Sequence, residues 1–294
     1  MIYLNQFALP SADQEYRILD NDLESKRTCY RSRYPFGVFS NKKIPCLEFE
    51  PITILCGGNG SGKTTILNLI GEKLGLKRTA VFNRSSFFRL YLKYCRADLR
   101  EAFTPSVREN SRVITSDDVF DALLELRQIN EGITQRRQEL LEEYTSARYA
   151  NFQMRSLEDF DRLRQVADAQ RKTGSRYVND QLIKDIPGKS NGESGFLYFT
   201  REIQENGLYL LDEPENSLSP KRQLELLQFL EDSVRFYNCQ FSISTHSPFL
   251  LSMKGAKIYD LDRQLVGTCS WTELEHIQVY YQFFKAHQKE LERA

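Results

Sequence analysis

Residues Gly57-Gly58-Asn59-Gly60-Ser61-Gly62-Lys63-Thr64 combine the residue types that hold a polyphosphate, at the spacing G-x-x-x-x-G-K-[ST]. Glycines let successive backbone N–H groups curl around a phosphate, because a Cβ would block the approach. Lys63 follows the last glycine and can reach the β- and γ-phosphates, while the Thr64 hydroxyl can hold Mg2+. The flanks fit the same chemistry. Residues 47–56 (LEFEPITILC) read as a strand, and residues 65–74 (TILNLIGEKL) read as a helix. A helix opening at Thr65 would turn its positive dipole end toward the phosphate. Gly57, Gly58, Asn59, Gly60, Ser61, Gly62, Lys63, Thr64 and Thr65 are therefore the expected nucleotide-binding residues, with a nucleotide polyphosphate and Mg2+ as the ligands.

A second constellation lies far downstream. Leu208-Tyr209-Leu210-Leu211-Asp212-Glu213 is an apolar run ending in two acids. Apolar residues on both faces suggest a central strand, and acids at its carboxyl end would project into the crevice of an open α/β sheet. Asp212 is the expected ligand of Mg2+ or its waters, and Glu213 the expected general base toward an attacking water. One helix and one strand later, His246 ends the run QFSISTH. An imidazole there can contact the γ-phosphate or orient the water. The expected catalytic residues are Lys63, Glu213 and His246.

The elements that must position these residues follow from periodicity. Residues 2–9 read as a first strand and residues 10–43 as loops or an edge strand. Residues 78–94 read as a strand followed by a helix, and residues 112–115 (RVIT) as a short strand with helix-capping residues after it. From 118 to about 184 the pattern is helical and strongly charged, with Val119, Leu123, Leu126 and Ile129 at helical spacing. Residues 207–211, 239–245 and 257–261 read as strands. Residues 220–237 read as an amphipathic helix opened by Pro220, and residues 272 to 294 as a polar helix. Alternation of strands and helices around a phosphate loop implies a mostly parallel sheet covered on both faces.

Composition narrows the partners. Lys+Arg and Asp+Glu both number 40, so no net basic field argues for nucleic acid. Of the 6 cysteines none form C-x-x-C, which reads as reduced thiols in a cytoplasmic protein rather than a metal site. The N-terminus lacks a signal-peptide pattern, and no apolar stretch approaches the ~18 residues that span a bilayer. Direct membrane insertion is not expected.

These motifs occur together in the order of the ABC-type ATPases, and the chain resembles that family. Gly57–Thr64 resembles its Walker A loop, Leu208–Glu213 its Walker B strand and His246 its switch histidine. Lys189-Ser190-Asn191-Gly192-Glu193-Ser194 resembles its signature, and Asn216-Ser217-Leu218-Ser219 its D-loop. The forms DEPENSLSP and STHSPFLL resemble the compact bacterial AAA-type branch, with RecF-like and overcoming-lysogenization-defect-like ATPase heads, more than transporter subunits. The resemblance implies one ABC-type ATPase domain over 1–294, of α/β class, with an antiparallel N-terminal edge and a helical lid at 84–200. It implies a composite site closed in trans by Ser190, Gly192 and Glu193 of a second copy, with Ser217, Leu218 and Ser219 as the D-loop. ATP would join two heads into a homodimer, and hydrolysis would release them. Asp117 stands where the family's Q-loop lies and is the substitute metal contact. Tyr30, Tyr34 and Phe36 are candidates for adenine stacking, with packing as the alternative role for each. No second catalytic constellation is legible, so an effector activity is assigned to a separate protein. DNA binding by the arginine-rich lid is left open, as are roles in phage defence or toxin–antitoxin systems. Two alternatives stand beside this reading: a nucleotide-binding subunit of a membrane transporter, and an ATP-sensing scaffold with negligible hydrolysis.

Overall fold

The computed structural model describes residues 1–294 apart from 24, 28–31, 45, 151–159, 181–190 and 293–294, and apart from the side chains of 126, 127, 179 and 191–193. Nine strands are described: β1 (Leu4–Ala8), β2 (Leu47–Glu48), β3 (Ile52–Cys56), β4 (Arg96–Leu99), β5 (Arg112–Thr115), β6 (Leu208–Asp212), β7 (Gln240–Ser244), β8 (Lys257–Asp260) and β9 (Gly267–Cys269). Six form the central sheet in the order β5-β6-β7-β3-β8-β9. All its pairings are parallel except that of β9 with β8. Every residue of β3 and β7 is buried, as expected for strands covered on both faces.

The helix Lys63–Leu74 covers one face, burying Ile66, Leu67, Leu69 and Ile70. Gly71 permits that approach, since a Cβ there would lie 2.7 Å from Val113 Cγ2 on β5. Gly75, at φ 62°, ends the helix in the left-handed conformation that favours glycine. A separate antiparallel sheet, β2-β1-β4, shares the core through Leu4, Phe7 and Leu47.

Gln240 joins the two sheets. Its buried Oε1 accepts from the backbone N–H of Tyr3 (2.7 Å) and Leu4 (2.9 Å), and its Nε2 donates to the carbonyls of Leu4 (2.9 Å) and Glu50 (3.2 Å).

Several elements differ from the sequence reading, each for a local reason. Residues 47–56 are two strands in two sheets. Pro51 has no N–H to offer a ladder, so β2 pairs with β1 before it and β3 enters the central sheet after it. Residues 10–43 hold a helix, Ala12–Asn21, opened by a capping box between Ser11 and Gln14. No strand lies within 78–86, and the helix begins only at Phe88. The strands β4 and β9 were not anticipated, because RADL and GTC are short and carry no apolar alternation.

The chain divides into two compact units, 1–120 with 191–294, and 121–190. The second is narrower than the 84–200 span, because Phe87, Phe88 and Tyr91 belong to the main core. It has its own small core of Leu140, Ala147, Val166, Ala169, Tyr177 and Val178. Among the described residues, no helix is long and apolar enough to cross a membrane.

Gln240→Ala strands two buried N–H groups and removes a donor from two carbonyls at the junction of the sheets. The expected cost is about 2–4 kcal/mol in chemical denaturation. A loss below about 0.5 kcal/mol would show that the sheets are held together elsewhere.

Candidate active site

Parallel strands deliver their carboxyl ends to one edge, which is where ligands bind in open α/β sheets. Here that edge collects the loop after β3 (57–62), the acids ending β6, Thr245 and His246 after β7, and Asp262 after β8. The loop needs its glycines. Gly60 and Gly62 have φ of 78° and 103°, and a Cβ on Gly62 would fall 2.4 Å from the Phe39 ring. Two further side chains brace it. Lys42 Nζ donates to the carbonyls of Ser61 (2.8 Å) and Leu261 (2.6 Å), and the Gly58 N–H donates to both Asp262 oxygens at 2.8 Å.

Lys63 is the hub. Its side chain is 4% exposed, and its ammonium donates to Gly57 O (2.7 Å), Gly58 O (3.3 Å) and His246 Nε2 (2.7 Å). An ammonium only donates, so Nε2 is the acceptor here and the imidazole proton belongs on Nδ1. Glu213 Oε1 lies 3.7 Å from Lys63 Nζ and 3.4 Å from His246 Nε2. The three expected catalytic residues therefore share one small volume.

Asp212 sits one residue deeper. Its Oδ1 accepts from the hydroxyls of Thr64 (3.1 Å) and Ser244. Burial pushes its carboxyl above the ordinary range, opposed by these two hydrogen bonds and reinforced by the charge of Glu213. Glu213 itself is left-handed, at φ 49°, a conformation that swings its side chain out of the strand direction. Asn216 Nδ2 holds its Oε2 at 3.0 Å, leaving Oε1 toward Lys63 and His246.

A cavity of about 1050 Å3 opens beside the loop, lined by Tyr34, Thr64, Thr65, Asn68, Arg78, Asp117 and Asp212 among others. Asp117 thus faces the same space as Thr64 and Asp212. Its neighbour Asp118 is buried and accepts from Thr115 and the Ala80 N–H, holding the loop in place. Tyr34 reaches the site, its hydroxyl donating to Thr65 Oγ1 (3.1 Å), with its ring stacked on Phe88. Phe36 is a core residue set edge-on to Tyr91. Tyr30 and Ser190 lie outside the described residues.

Gly192 and Glu193 fall in the first turn of the helix Asn191–Glu202. That helix approaches residues 217–218 closely: a Cβ on Gly195 would lie 3.2 Å from Leu218 and 3.3 Å from Ser217 Oγ. Leu218 is buried, and Ser219 is the N-cap of the helix Pro220–Phe236.

Two residues absent from the sequence reading belong to the site. Glu215 is 9% exposed, and its Oε1 accepts from Thr245 Oγ1 (2.6 Å), His246 N (2.6 Å) and Ser247 N (3.1 Å). A third acid within DEPE was its only signal. His276, in the helix Glu275–Ala286, packs edge-on against His246 with ring centroids 6.3 Å apart. Nothing in its local sequence marks it, since 30 residues separate the two histidines and only the fold brings them together.

The sheet order, the phosphate loop and the acids ending β6 make this the fold of an ABC-type P-loop ATPase head. Residues 147–252 match the family described as "AAA domain, putative AbiEii toxin, Type IV TA system". Among curated proteins nothing matches. Of solved structures, the chain is similar to an Smc head domain from Pyrococcus furiosus, with an extended coiled coil and bound to the C-terminal domain of ScpA. That likeness has 12% identity over 96% of this chain and 100% of the other, with a TM-score of 0.46. It is similar too to a dimeric ATP-binding cassette in a post-hydrolysis state with ADP and phosphate, at 16% identity over 78% and 90%, TM-score 0.34. A nucleotide-free cassette from an ABC transporter is 14% identical over 89% of each chain, TM-score 0.40.

The raised carboxyl of Asp212 has a signed consequence. Between the ordinary carboxylate range and its raised value, the folded state binds more protons than the unfolded state, so stability falls as pH rises through that window. Without nucleotide or divalent metal, Asp212→Asn is expected to raise the melting temperature at pH 7, and the gain should shrink toward zero as pH is lowered through the carboxylate range. A gain independent of pH would point to packing instead of charge.

Proposed function

We propose that this protein binds ATP with Mg2+ and hydrolyses it, and that ATP-dependent pairing of two heads regulates a partner protein. The observation that carries the reading is the convergence of Lys63, Thr64, Asp212, Glu213 and His246 at one sheet edge. Thr64 Oγ1 and Asp212 Oδ1, 3.1 Å apart, are hard oxygen donors of the kind Mg2+ takes. When bound there, the metal would neutralise charge on the phosphates.

The residues divide the work. Lys63 and the loop amides from Gly60 to Thr65 hold the β- and γ-phosphates, and Tyr34, bonded to Thr65 at the cavity wall, is the aromatic available to a base. Glu213 Oε1, the oxygen that Asn216 does not hold, takes the proton from water. His246, whose Nε2 faces the same point, orients that water or the γ-phosphate. Asp117 serves as an additional contact to the metal's waters. Ser190, Gly192 and Glu193 of a second copy would complete the site at the N-terminal end of a helix, where backbone amides favour an anion. The toxin–antitoxin wording of the matched family supports a regulatory role over transport. The effector is a separate protein.

Phosphate release and light-scattering mass, measured together with ATP and Mg2+, test the reading. Glu213→Gln is expected to cut turnover at least about a hundredfold while retaining ATP and trapping a dimer. Lys63→Ala is expected to lose ATP binding itself. Wild-type protein that binds ATP without releasing phosphate or changing mass would sink the hydrolytic reading and leave an ATP-sensing scaffold.

A further inference from the structure

Two loops that the chemistry needs are tied together by a buried carboxylate and a glutamine. The turn Pro214–Ser217 follows the Glu213 base, and the stretch Thr245–Ser247 carries His246. The strand register sets their starting points, with Asp212 paired to Ser244 and the Glu213 N–H donating to Ser244 O, but the ladder ends there. Glu215 supplies the link beyond it. Three donors from Thr245, His246 and Ser247 all end on its Oε1, at 2.6, 2.6 and 3.1 Å. Its Oε2 is buried with no hydrogen-bond partner among the described residues. A buried carboxylate oxygen that gathers three donors acts as a fixed anchor, because losing it strands the His246 N–H and leaves the Ser247 N–H only Thr245 Oγ1 at 3.0 Å.

Gln223 makes an independent second tie. Its Nε2 donates to Leu218 O (2.9 Å), and its Oε1 accepts from Ser247 Oγ (2.7 Å). Ser247 Oγ in turn accepts from the N–H groups of Phe249 and Leu250, capping the short helix after His246. The stretch 215–218 and the stretch 245–247 are therefore cross-braced twice.

We infer that Glu215, with Gln223, is the positioning element that couples the 214–219 turn to His246, so that a change at this turn is transmitted to the imidazole. The inference rests on the proposed hydrolysis for its kinetic consequence. Glu215 touches no reacting atom. It acts by holding the His246 backbone at one place relative to Glu213, and hence Nε2 at its place beside Lys63. Misplacing a catalytic group by a fraction of an ångström lowers the chemical step while leaving phosphate binding by the loop intact.

The test compares Glu215→Ala, Glu215→Gln and Gln223→Ala in the full chain, with two readouts. The first is the split between kcat and ATP affinity. Glu215→Ala is expected to lower kcat about tenfold or more with ATP affinity within about twofold of wild type. Glu215→Gln is expected to recover turnover to within about threefold, since its amide oxygen can still accept the three donors. Gln223→Ala should fall between them. The second readout is amide hydrogen exchange at His246 and Ser247, which needs no turnover. Exchange there should rise in Glu215→Ala and stay near wild type in Glu215→Gln. Unchanged exchange in Glu215→Ala overturns the coupling, whether or not the protein hydrolyses ATP. Changed exchange in a wild-type background that never turns over would sink the hydrolytic reading and leave the coupling standing. Equal loss of kcat in the Gln and Ala variants also overturns it, because the carboxylate charge, and not its acceptor geometry, would then be what matters.

Discussion

An ammonium group with almost no exposure has to satisfy all its donors inside the protein, and that demand organises this site around Lys63. Its three bonds go to Gly57 O, Gly58 O and His246 Nε2. Two of these acceptors belong to the loop that a nucleotide would occupy, so the lysine holds the loop's shape before any phosphate arrives. The third ties the loop to the end of a different strand. Burying a charge is costly unless it is bonded in this way. The arrangement thus fixes the position of this cation within the loop.

The sheet makes that arrangement reachable. β3 lies between β7 and β8, so the loop after it is flanked by His246 on one side and Asp262 on the other. β6 is the next strand beyond β7, which puts Asp212 beside Ser244 and Glu213 within reach of His246. Parallel pairing is what aligns these ends. An antiparallel neighbour would send its carboxyl end to the opposite edge, as β9 does with no consequence for the chemistry.

The price of this convergence appears in Asp212, whose burial raises its carboxyl pKa, and in the left-handed backbone of Glu213. Both are unfavourable locally and persist because neighbouring hydrogen bonds over-determine them. Ser244 and Thr64 hold the first, and Asn216 together with the Ser244 carbonyl holds the second.

What was legible in the sequence was whatever rests on short-range chemistry. The run from Gly57 to Thr65 announces itself because glycine conformations and a following lysine are local requirements. Asp212 and Glu213 were legible because they end an apolar run that reads as a central strand, and His246 because it ends the strand-like run QFSIST. The helix Ala12–Asn21 had a readable signal in Ser11 and Gln14, yet lay in a stretch read as loops. Everything set by which strands become neighbours was decided by the tertiary structure alone. Pro51 divides one apolar run between two sheets, and Gln240 bridges them from 236 residues away. His276 comes to rest against His246, and Glu215 turns inward to hold the His246 backbone instead of facing water like most acids in a turn. The physical reason is common to all four. A side chain's local sequence limits its conformation, but its partner is chosen by strand order and burial, which no local pattern encodes.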